Sequence, residues 1–229
     1  MASSLDLQEQ EQLDALKAFW RQYGNLITLA LALAFAVVAG INGWNLWQRK
    51  QADNAAGRAD QLEAAVQAGD AQRAQAIFDD IRTNFPRTAY AANAGLATAK
   101  LQVQKSLPDE ALKSLAWVAE NASDPELKVL ARLHAAGVLM DKKQYPEALT
   151  QLDAAGKAEG TMAALIADRR GDVLALSGKA DEARAAYQAA HAALDPKLDY
   201  RQILDAKLAA IGATPKADAA PGAAAAASR

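Results

Sequence analysis

Apolar residues form one continuous run near the start of the chain and occur at spaced positions elsewhere. No Asp, Glu, Lys or Arg lies between Arg21 and Arg49, and Leu26–Ile41 is apolar apart from Thr28. A helix that crosses a hydrocarbon core of about 30 Å needs roughly 20 residues, mostly apolar. The segment 25–47 meets this requirement, so the pattern predicts a transmembrane helix that anchors the rest of the protein.

Aromatic residues flank this segment at both ends. Trp20 and Tyr23 precede it, and Trp44 and Trp47 lie at its far end. Amphipathic rings are favoured at the membrane–water interface, so these four residues are the candidate interfacial residues of the anchor. Residues 1–24 are predicted to be an amphipathic lead-in. It either lies among the lipid headgroups or docks a partner.

Two other interpretations of the apolar run are weaker. A cleaved signal peptide has a short basic start, whereas acidic residues outnumber basic ones before this run, although Val37–Ala39 resembles a cleavage site. A buried core helix rarely has so long a charge-free stretch with Arg at both ends. The basic residues on the two sides nearly balance, so charge leaves the orientation open.

The chain after the anchor is rich in Ala, Leu, Gln, Lys and Glu, with Gly and Pro as breaks. This composition predicts an all-α domain over 48–211, followed by a disordered Ala/Pro-rich tail over 212–229. The breaks predict four helix pairs and a capping helix: 52–84, 88–121, 124–156, 160–193 and 198–211. The capping helix carries Leu198, Ile203, Leu204, Leu208 and Ile211.

Four segments share an Ala followed four residues later by a bulky residue: Ala74 and Phe78, Ala111 and Leu115, Ala148 and Leu152, and Ala183 and Tyr187. Successive Ala positions are 37, 37 and 35 residues apart, and Gly171 lies twelve residues before Ala183. Small residues at such positions let paired helices approach closely. The pattern resembles tetratricopeptide repeats and predicts an α-solenoid, although chance matches in an Ala-rich chain are the alternative.

Composition and motifs argue against chemistry at a catalytic or metal site. The net charge is −2 and there is no Cys, which disfavours nucleic-acid binding and excludes thiolate ligands. His134 and His191 lie in separate repeats, so neither is expected to bind a metal. The polar cluster at 168–172 is interpreted as ion pairing between helices. We therefore predict no enzyme activity, no cofactor and no metal.

Three motifs resemble the YfgM family, the ancillary subunits of the bacterial SecYEG translocon. They are Glu11–Asn25 before the anchor, Gly43–Trp47 at its end and Ala167–Tyr187 in the last repeat. The resemblance covers roughly residues 10–211, and the tail departs from the family pattern. The first and third motifs are fairly specific, whereas the middle repeats match only in pattern.

The resemblance implies a single-pass inner-membrane protein with a cytoplasmic N-terminus and a periplasmic repeat domain. It also implies partnership with SecYEG and with a PpiD-like periplasmic chaperone, near emerging secretory polypeptides. It brings no catalytic residues. The expected function is a non-enzymatic adaptor at the translocon, and the residues of its partner-binding groove are not identified. The alternative is a general envelope scaffold, in cell division or outer-membrane assembly, that uses the same groove.

Overall fold

The computed structural model describes residues 7–156, 158–195 and 197–212, with side chains from Gln12 onward. Regular structure in these ranges is entirely α-helical, which confirms the predicted fold class. Its helices are α1 (Leu7–Gln67), α2 (Ala71–Asn84), α3 (Ala89–Gln104), α4 (Pro108–Asn121), α5 (Pro125–Asp141), α6 (Tyr145–Ala154), α7 (Gly160–Leu176), α8 (Ala180–Ala193) and α9 (Tyr200–Ala210). From α2 onward they match the predicted pairs closely. The first helix of the first pair does not begin near residue 52 as predicted, because α1 extends from Leu7 to Gln67. The predicted disordered tail lies outside the described residues, apart from Gly212.

Residue contacts divide the chain into one unit up to Asp53 and another from Asn54 onward. In the first unit, α1 carries the charge-free segment with its apolar side chains exposed. The Thr28 hydroxyl donates to the Gly24 carbonyl oxygen at 2.8 Å, so this polar group is satisfied within the helix. Among the described residues, α1 is the helix that is long and apolar enough to cross a membrane. These features fit a membrane-anchored protein.

In the second unit, the same turn joins the two helices of every pair. One residue in each turn has a positive φ: Gly69, Ser106, Lys143 and Gly178. The next residue donates its backbone N–H to a carbonyl five residues earlier, as Lys179 does to Leu174 at 2.9 Å. This is the Schellman termination, which satisfies carbonyl groups at the end of the first helix. The sequence marks two of these turns by glycine. The other two are predicted as breaks from the prolines that follow, Pro108 and Pro146, and have a residue with a side chain at positive φ.

The helix starts follow local rules that the sequence already shows. Pro108, Pro125 and Pro146 lie in the first turns of α4, α5 and α6. A proline there loses no hydrogen bond, because the first N–H groups of a helix have no partner within it. The Asp70 and Thr88 side chains accept hydrogen bonds from backbone N–H groups that start α2 and α3. These signals place each helix independently of its neighbours.

Four apolar clusters fill the spaces between successive helices of the second unit. The largest fully buried apolar side chains in these clusters are Phe78, Ile81, Leu115, Val118, Leu152, Val173, Leu204 and Leu208. Phe78 also meets Trp117 edge to face, with ring centroids 5.4 Å apart. Each helix therefore packs on its predecessor and its successor, which is the arrangement of a repeat solenoid.

Helix α9 covers the last pair, as the sequence predicted, but through fewer residues than expected. Leu204 and Leu208 are buried against α7 and α8. Leu198 and Ile203, which the sequence also placed on the capping helix, are 41% and 49% exposed. Leu198 precedes the first residue of α9, and Ile203 lies one residue before Leu204, about 100° around the helix from the buried face.

Candidate partner-binding groove

The residues of the predicted repeat signature lie at the interfaces between paired helices. All of them are buried: Ala74, Phe78, Ala111, Leu115, Ala148, Leu152, Gly171, Ala183 and Tyr187. Each Ala belongs to the second helix of a pair, and the bulky residue one turn later enters an apolar cluster. The signature therefore holds the helices together and does not form the surface that a partner meets.

Two glycines on first helices allow the closest approach of neighbouring side chains. A Cβ atom at Gly171 would lie 2.4 Å from the Tyr187 ring. At Gly95, which the sequence did not single out, it would lie 2.4 Å from Val118 Cγ2 and 3.0 Å from the Phe78 ring. Real Cβ atoms do not approach so closely, so a methyl group at either position requires the helices to move apart.

A cavity of about 590 Å³ opens on the face formed mainly by the first helices α3, α5 and α7. Its apolar lining includes Leu96, Val103, Leu130, Leu133 and Val138. Concave, mostly apolar sites with a few polar groups are typical binding sites. We call this cavity and its lining the first-helix groove. It is the candidate partner-binding site.

The polar lining of the first-helix groove is mostly basic. Lys100 comes from α3, His134 from α5 and Arg169 from α7, with Asp141 as an acidic residue at the end of α5. The pKa of His134 lies below its ordinary value of 6.5, first because the protein removes solvent from the ring. The positive charges of Arg169 and Lys100 lower it further. The surroundings of His134 therefore favour its neutral form.

A second cavity, of about 640 Å³, has a different chemical character. Residues of α4, α5, α6 and the segment before α7 line it, including Glu120, Glu126, Lys128, Arg132 and Glu159. Charges of both signs are interspersed there, and Lys128 Nζ already donates to the Glu120 carbonyl oxygen at 3.0 Å. Because charges of both signs line this cavity, it does not favour a ligand of one particular charge, in contrast to the first-helix groove.

The acidic residues of the polar cluster at 168–172 connect the last pair to α9. Asp168 is only 4% exposed, and its two carboxylate oxygens each lie 2.6 Å from a donor, Lys207 Nζ and the Tyr200 hydroxyl. Asp172 accepts from the Tyr187 hydroxyl at 2.9 Å and lies 2.7 Å from Lys207 Nζ. The predicted ion pairing is present, and its role is to hold α9 in place.

The same site changes the acidity of two phenols. Burial comes first in raising the pKa of both Tyr187 and Tyr200, and the carboxylates of Asp168 and Asp172 raise it further. Both hydroxyls therefore stay protonated and continue to donate at alkaline pH. Arg170, from the same cluster, pairs instead with Asp153 on α6.

The two histidines occupy different surroundings, neither of which is a metal site. His134 lines the first-helix groove, whereas His191 Nε2 lies 3.3 Å from Asp205 Oδ1 and its Nδ1 lies 3.0 Å from Arg201 Nη2. Across the described residues, no group of three or more His, Cys, Asp or Glu side chains is arranged to hold a metal ion.

The four candidate interfacial residues all lie on α1 with exposed side chains. Trp44 and Trp47 contact each other, with ring centroids 5.2 Å apart, and Phe19 meets Tyr23 at 5.1 Å. From Tyr23 to Trp44 the helix rises about 31 Å at 1.5 Å per residue, which is close to the thickness of a hydrocarbon core. The aromatic pairs are thus spaced for the two interfaces of one bilayer.

Sequence reasoning did not identify the residues of the first-helix groove. The repeat pattern nevertheless contained a signal for the groove. His134 lies two residues before Ala136, the close-packing position of α5, and Arg169 lies two residues before Gly171, the close-packing position of α7. Lys100 lies one residue after the corresponding Ala99, about one turn further along the same face. The predicted signature followed the second helices instead, so it missed the exposed face of the first helices.

The second unit consists of helix pairs that have small residues at their close contacts, are stacked in series and end in a capping helix. This arrangement defines a tetratricopeptide repeat-like protein. A family model described as a tetratricopeptide repeat-like domain matches residues 17–213. Together with the relatives described next, this match shows that the chain belongs to the YfgM family of ancillary SecYEG translocon subunits.

Relatives from several bacteria carry the name ancillary SecYEG translocon subunit. The protein from Neisseria gonorrhoeae is 30% identical over 211 residues, which cover 88% of this chain and 96% of the relative. The protein from Escherichia coli is 32% identical over 187 residues, covering 79% and 86% respectively. The protein from Haemophilus influenzae is 27% identical over 149 residues, covering 64% and 72%.

Proposed function

We propose that this protein is a non-enzymatic ancillary subunit of the SecYEG translocon. The observation that carries the proposal is the similarity, over most of both chains, to relatives named as such subunits. A charge-free helix with exposed apolar side chains supports a location in the membrane beside the channel. The first-helix groove supports a binding role for the repeat domain.

The proposed topology follows the predicted domains. Residues 1–24 are the cytoplasmic lead-in, 25–47 cross the inner membrane, 48–211 form the periplasmic repeat domain and 212–229 are the tail. In this arrangement Trp20 and Tyr23 lie at the cytoplasmic interface and Trp44 and Trp47 at the periplasmic interface. Protease added to spheroplasts should degrade the region after residue 47. Protection of that region would reverse the topology.

The proposed partner of the repeat domain is a PpiD-like periplasmic chaperone. The subunit would hold this chaperone near secretory and outer-membrane polypeptides as they leave the channel. Because the anchor and the repeat domain contact different partners, the two interactions should be separable by mutation.

Copurification in mild detergent tests the proposal. The full-length chain should recover SecYEG and the chaperone together. A variant with residues 25–47 replaced by an unrelated single span should lose SecYEG, whereas charge reversal at Lys100 and Arg169 should spare it. The unaltered chain without its tag is the matched control for background.

Clean absence of SecYEG from the unaltered chain would refute the proposal. Recovery of cell-division or outer-membrane assembly proteins in its place would favour a general envelope scaffold. The intact mass of the mature protein provides a separate check, because loss of about the first 39 residues, at the site that Val37–Ala39 resembles, would exclude a permanent anchor.

A further inference from the structure

The first-helix groove combines an apolar lining with two cations that form no ion pair within the part of the chain that the structure describes. Among the described residues, neither Lys100 nor Arg169 forms an ion pair or a hydrogen bond, although ion pairs occur throughout the same domain. Lys142, for example, pairs with Asp109, and Lys207 with Asp168. The two groove cations are therefore available to a ligand.

Lys100 and Arg169 both lie close enough to His134 to change its pKa. Both lower the pKa of this histidine, which shows that Lys100 of α3 and Arg169 of α7 act on the same point of α5. The Arg169 guanidinium lies beside Gly137, one turn after His134: a Cβ atom there would lie 3.6 Å from Nη1, an ordinary van der Waals distance. The basic groups of three successive first helices thus face one cavity.

We propose that the first-helix groove binds an apolar peptide segment of another protein that carries a carboxylate side chain. Leu96, Val103 and Leu130 would cover the apolar side chains of the segment, and Lys100 and Arg169 would pair with its Glu or Asp. A carboxylate there gains two charge-assisted contacts, one from the exposed Lys100 and one from the partly buried Arg169. This inference rests on the proposed function, since it names the chemistry of the segment that the adaptor holds.

The composition of the groove disfavours a phosphate ligand. Sites for phosphate surround the anion with several donors, whereas this groove has two free cations and a mainly apolar lining. Asp141, at the end of the groove, would repel a dianion more strongly than a single carboxylate. A segment with one acidic residue among apolar residues satisfies both the lining and the charges.

Binding is linked to the protonation of His134. The charged and titratable groups that line the groove around it are Lys100 on α3, Asp141 on its own helix α5 and Arg169 on α7. A bound carboxylate offsets the repulsion from the two cations, so it raises the pKa of His134. By linkage, affinity for the acidic segment increases as pH falls through the range in which His134 takes up its proton.

Fluorescence anisotropy with defined peptides tests the inference on the full chain in lipid nanodiscs, with empty nanodiscs as the blank. The probes are three labelled peptides of Ala, Val and Leu that differ only in a central Glu, Gln or Lys. The Glu probe should bind about tenfold more tightly than the other two, the scale of one charge pair.

Variants then test whether the groove makes this distinction. Lys100→Glu with Arg169→Glu should reverse the order, so that the Lys probe binds most tightly. Lys113→Glu with Lys197→Glu, at two exposed residues outside the groove, is the charge-matched control and should keep the wild-type order. Reversal of specificity is a result that simple damage to the fold does not produce.

Equal binding of the three probes to the wild type would overturn the inference. So would a double variant that keeps the wild-type order, or millimolar inorganic phosphate that displaces the Glu probe completely. Translocon copurification is measured separately, so the two failures can be distinguished. Loss of probe specificity with SecYEG retained refutes only this inference, whereas the reverse result refutes the proposed function.

Discussion

The ring of Tyr187 occupies the space that a side chain at Gly171 would need: a Cβ atom there would lie 2.4 Å from both Cδ1 and Cε1. The ring has little freedom to turn away, because its hydroxyl donates to Asp172 at 2.9 Å and its side chain is almost fully buried. The spacing of α7 and α8 is therefore set by the absence of one methyl group.

We expect Gly171→Ala to lower the free energy of unfolding by about 1–3 kcal/mol, the usual cost of overpacking a core. Chemical denaturation of the full chain in detergent, followed by circular dichroism, measures the change. Gly57→Ala is the matched control, since a Cβ atom at that helical position would meet nothing within 4 Å. The control should gain about 0.5–1 kcal/mol from helix propensity. Equal effects of the two substitutions would contradict the close-packing argument.

Lys207 should be needed to keep α9 on the last pair. Lys207→Met removes the cation that lies 2.6 Å from Asp168 and 2.7 Å from Asp172, leaving one nearly buried carboxylate with only the Tyr200 hydroxyl as donor. We expect a loss of about 1–3 kcal/mol, less than for a fully buried pair because Lys207 is partly exposed. Hydrogen exchange of the α9 amides should increase.

The control for this prediction is Lys197→Met, in the segment before α9, where the side chain is exposed. It should leave exchange in α9 unchanged. Faster exchange that is confined to α1–α6 in Lys207→Met would show that the pair acts elsewhere.

The repeated turn predicts that substitutions at two equivalent positions change the stability of the protein in opposite directions. Lys143 has a φ of 59° and Gly178 a φ of 81°, and a side chain in this region costs about 1–2 kcal/mol. Lys143→Gly should therefore raise stability by a few tenths to about 1 kcal/mol, because relief of strain exceeds the added chain entropy. Gly178→Ala should lower it by about 1 kcal/mol.

Thermal unfolding of both turn variants in the same detergent gives the comparison. The exposed Lys105→Gly, which precedes the corresponding Ser106 turn and has a negative φ of −91°, is the control and should destabilise. Destabilisation by Lys143→Gly to the same extent would show that the left-handed turn carries no strain.

His134 should titrate below 6.5, and its titration should report the cations of the groove. Folding lowers this pKa, so the unfolded chain takes up its proton first as pH falls. The group therefore lowers the free energy of unfolding once pH falls below about 6.5, and has no effect well above it. Arg169→Gln removes one repulsive charge and should raise the pKa of His134.

Proton NMR of the histidine Cε1–H signals measures this shift, and a His134→Gln variant assigns the resonance against His191. Lys113→Gln, outside the groove, should leave the titration unchanged. An identical titration in Arg169→Gln and in the wild type would show that Arg169 does not act on His134. That result would contradict a shared anion site.

The sequence by itself determined the elements of this protein and their order. The prolines in the first turns of α4, α5 and α6, the charge-free segment of α1 and the recurring Ala positions are local features that can be read along the chain. Local rules therefore predicted the all-α class, the four pairs and the capping helix. They also predicted that Gly171 and Tyr187 serve packing.

Only the tertiary structure decided which residues face a common surface. Lys100, His134 and Arg169 meet because three separate repeats stack, and the partners Asp168 and Lys207 are 39 residues apart. It also showed that Ser106 and Lys143 adopt the same left-handed turn as the glycines. Such features depend on how much each helix rotates and shifts against the next, and that is set by packing across the whole array, which no local pattern contains.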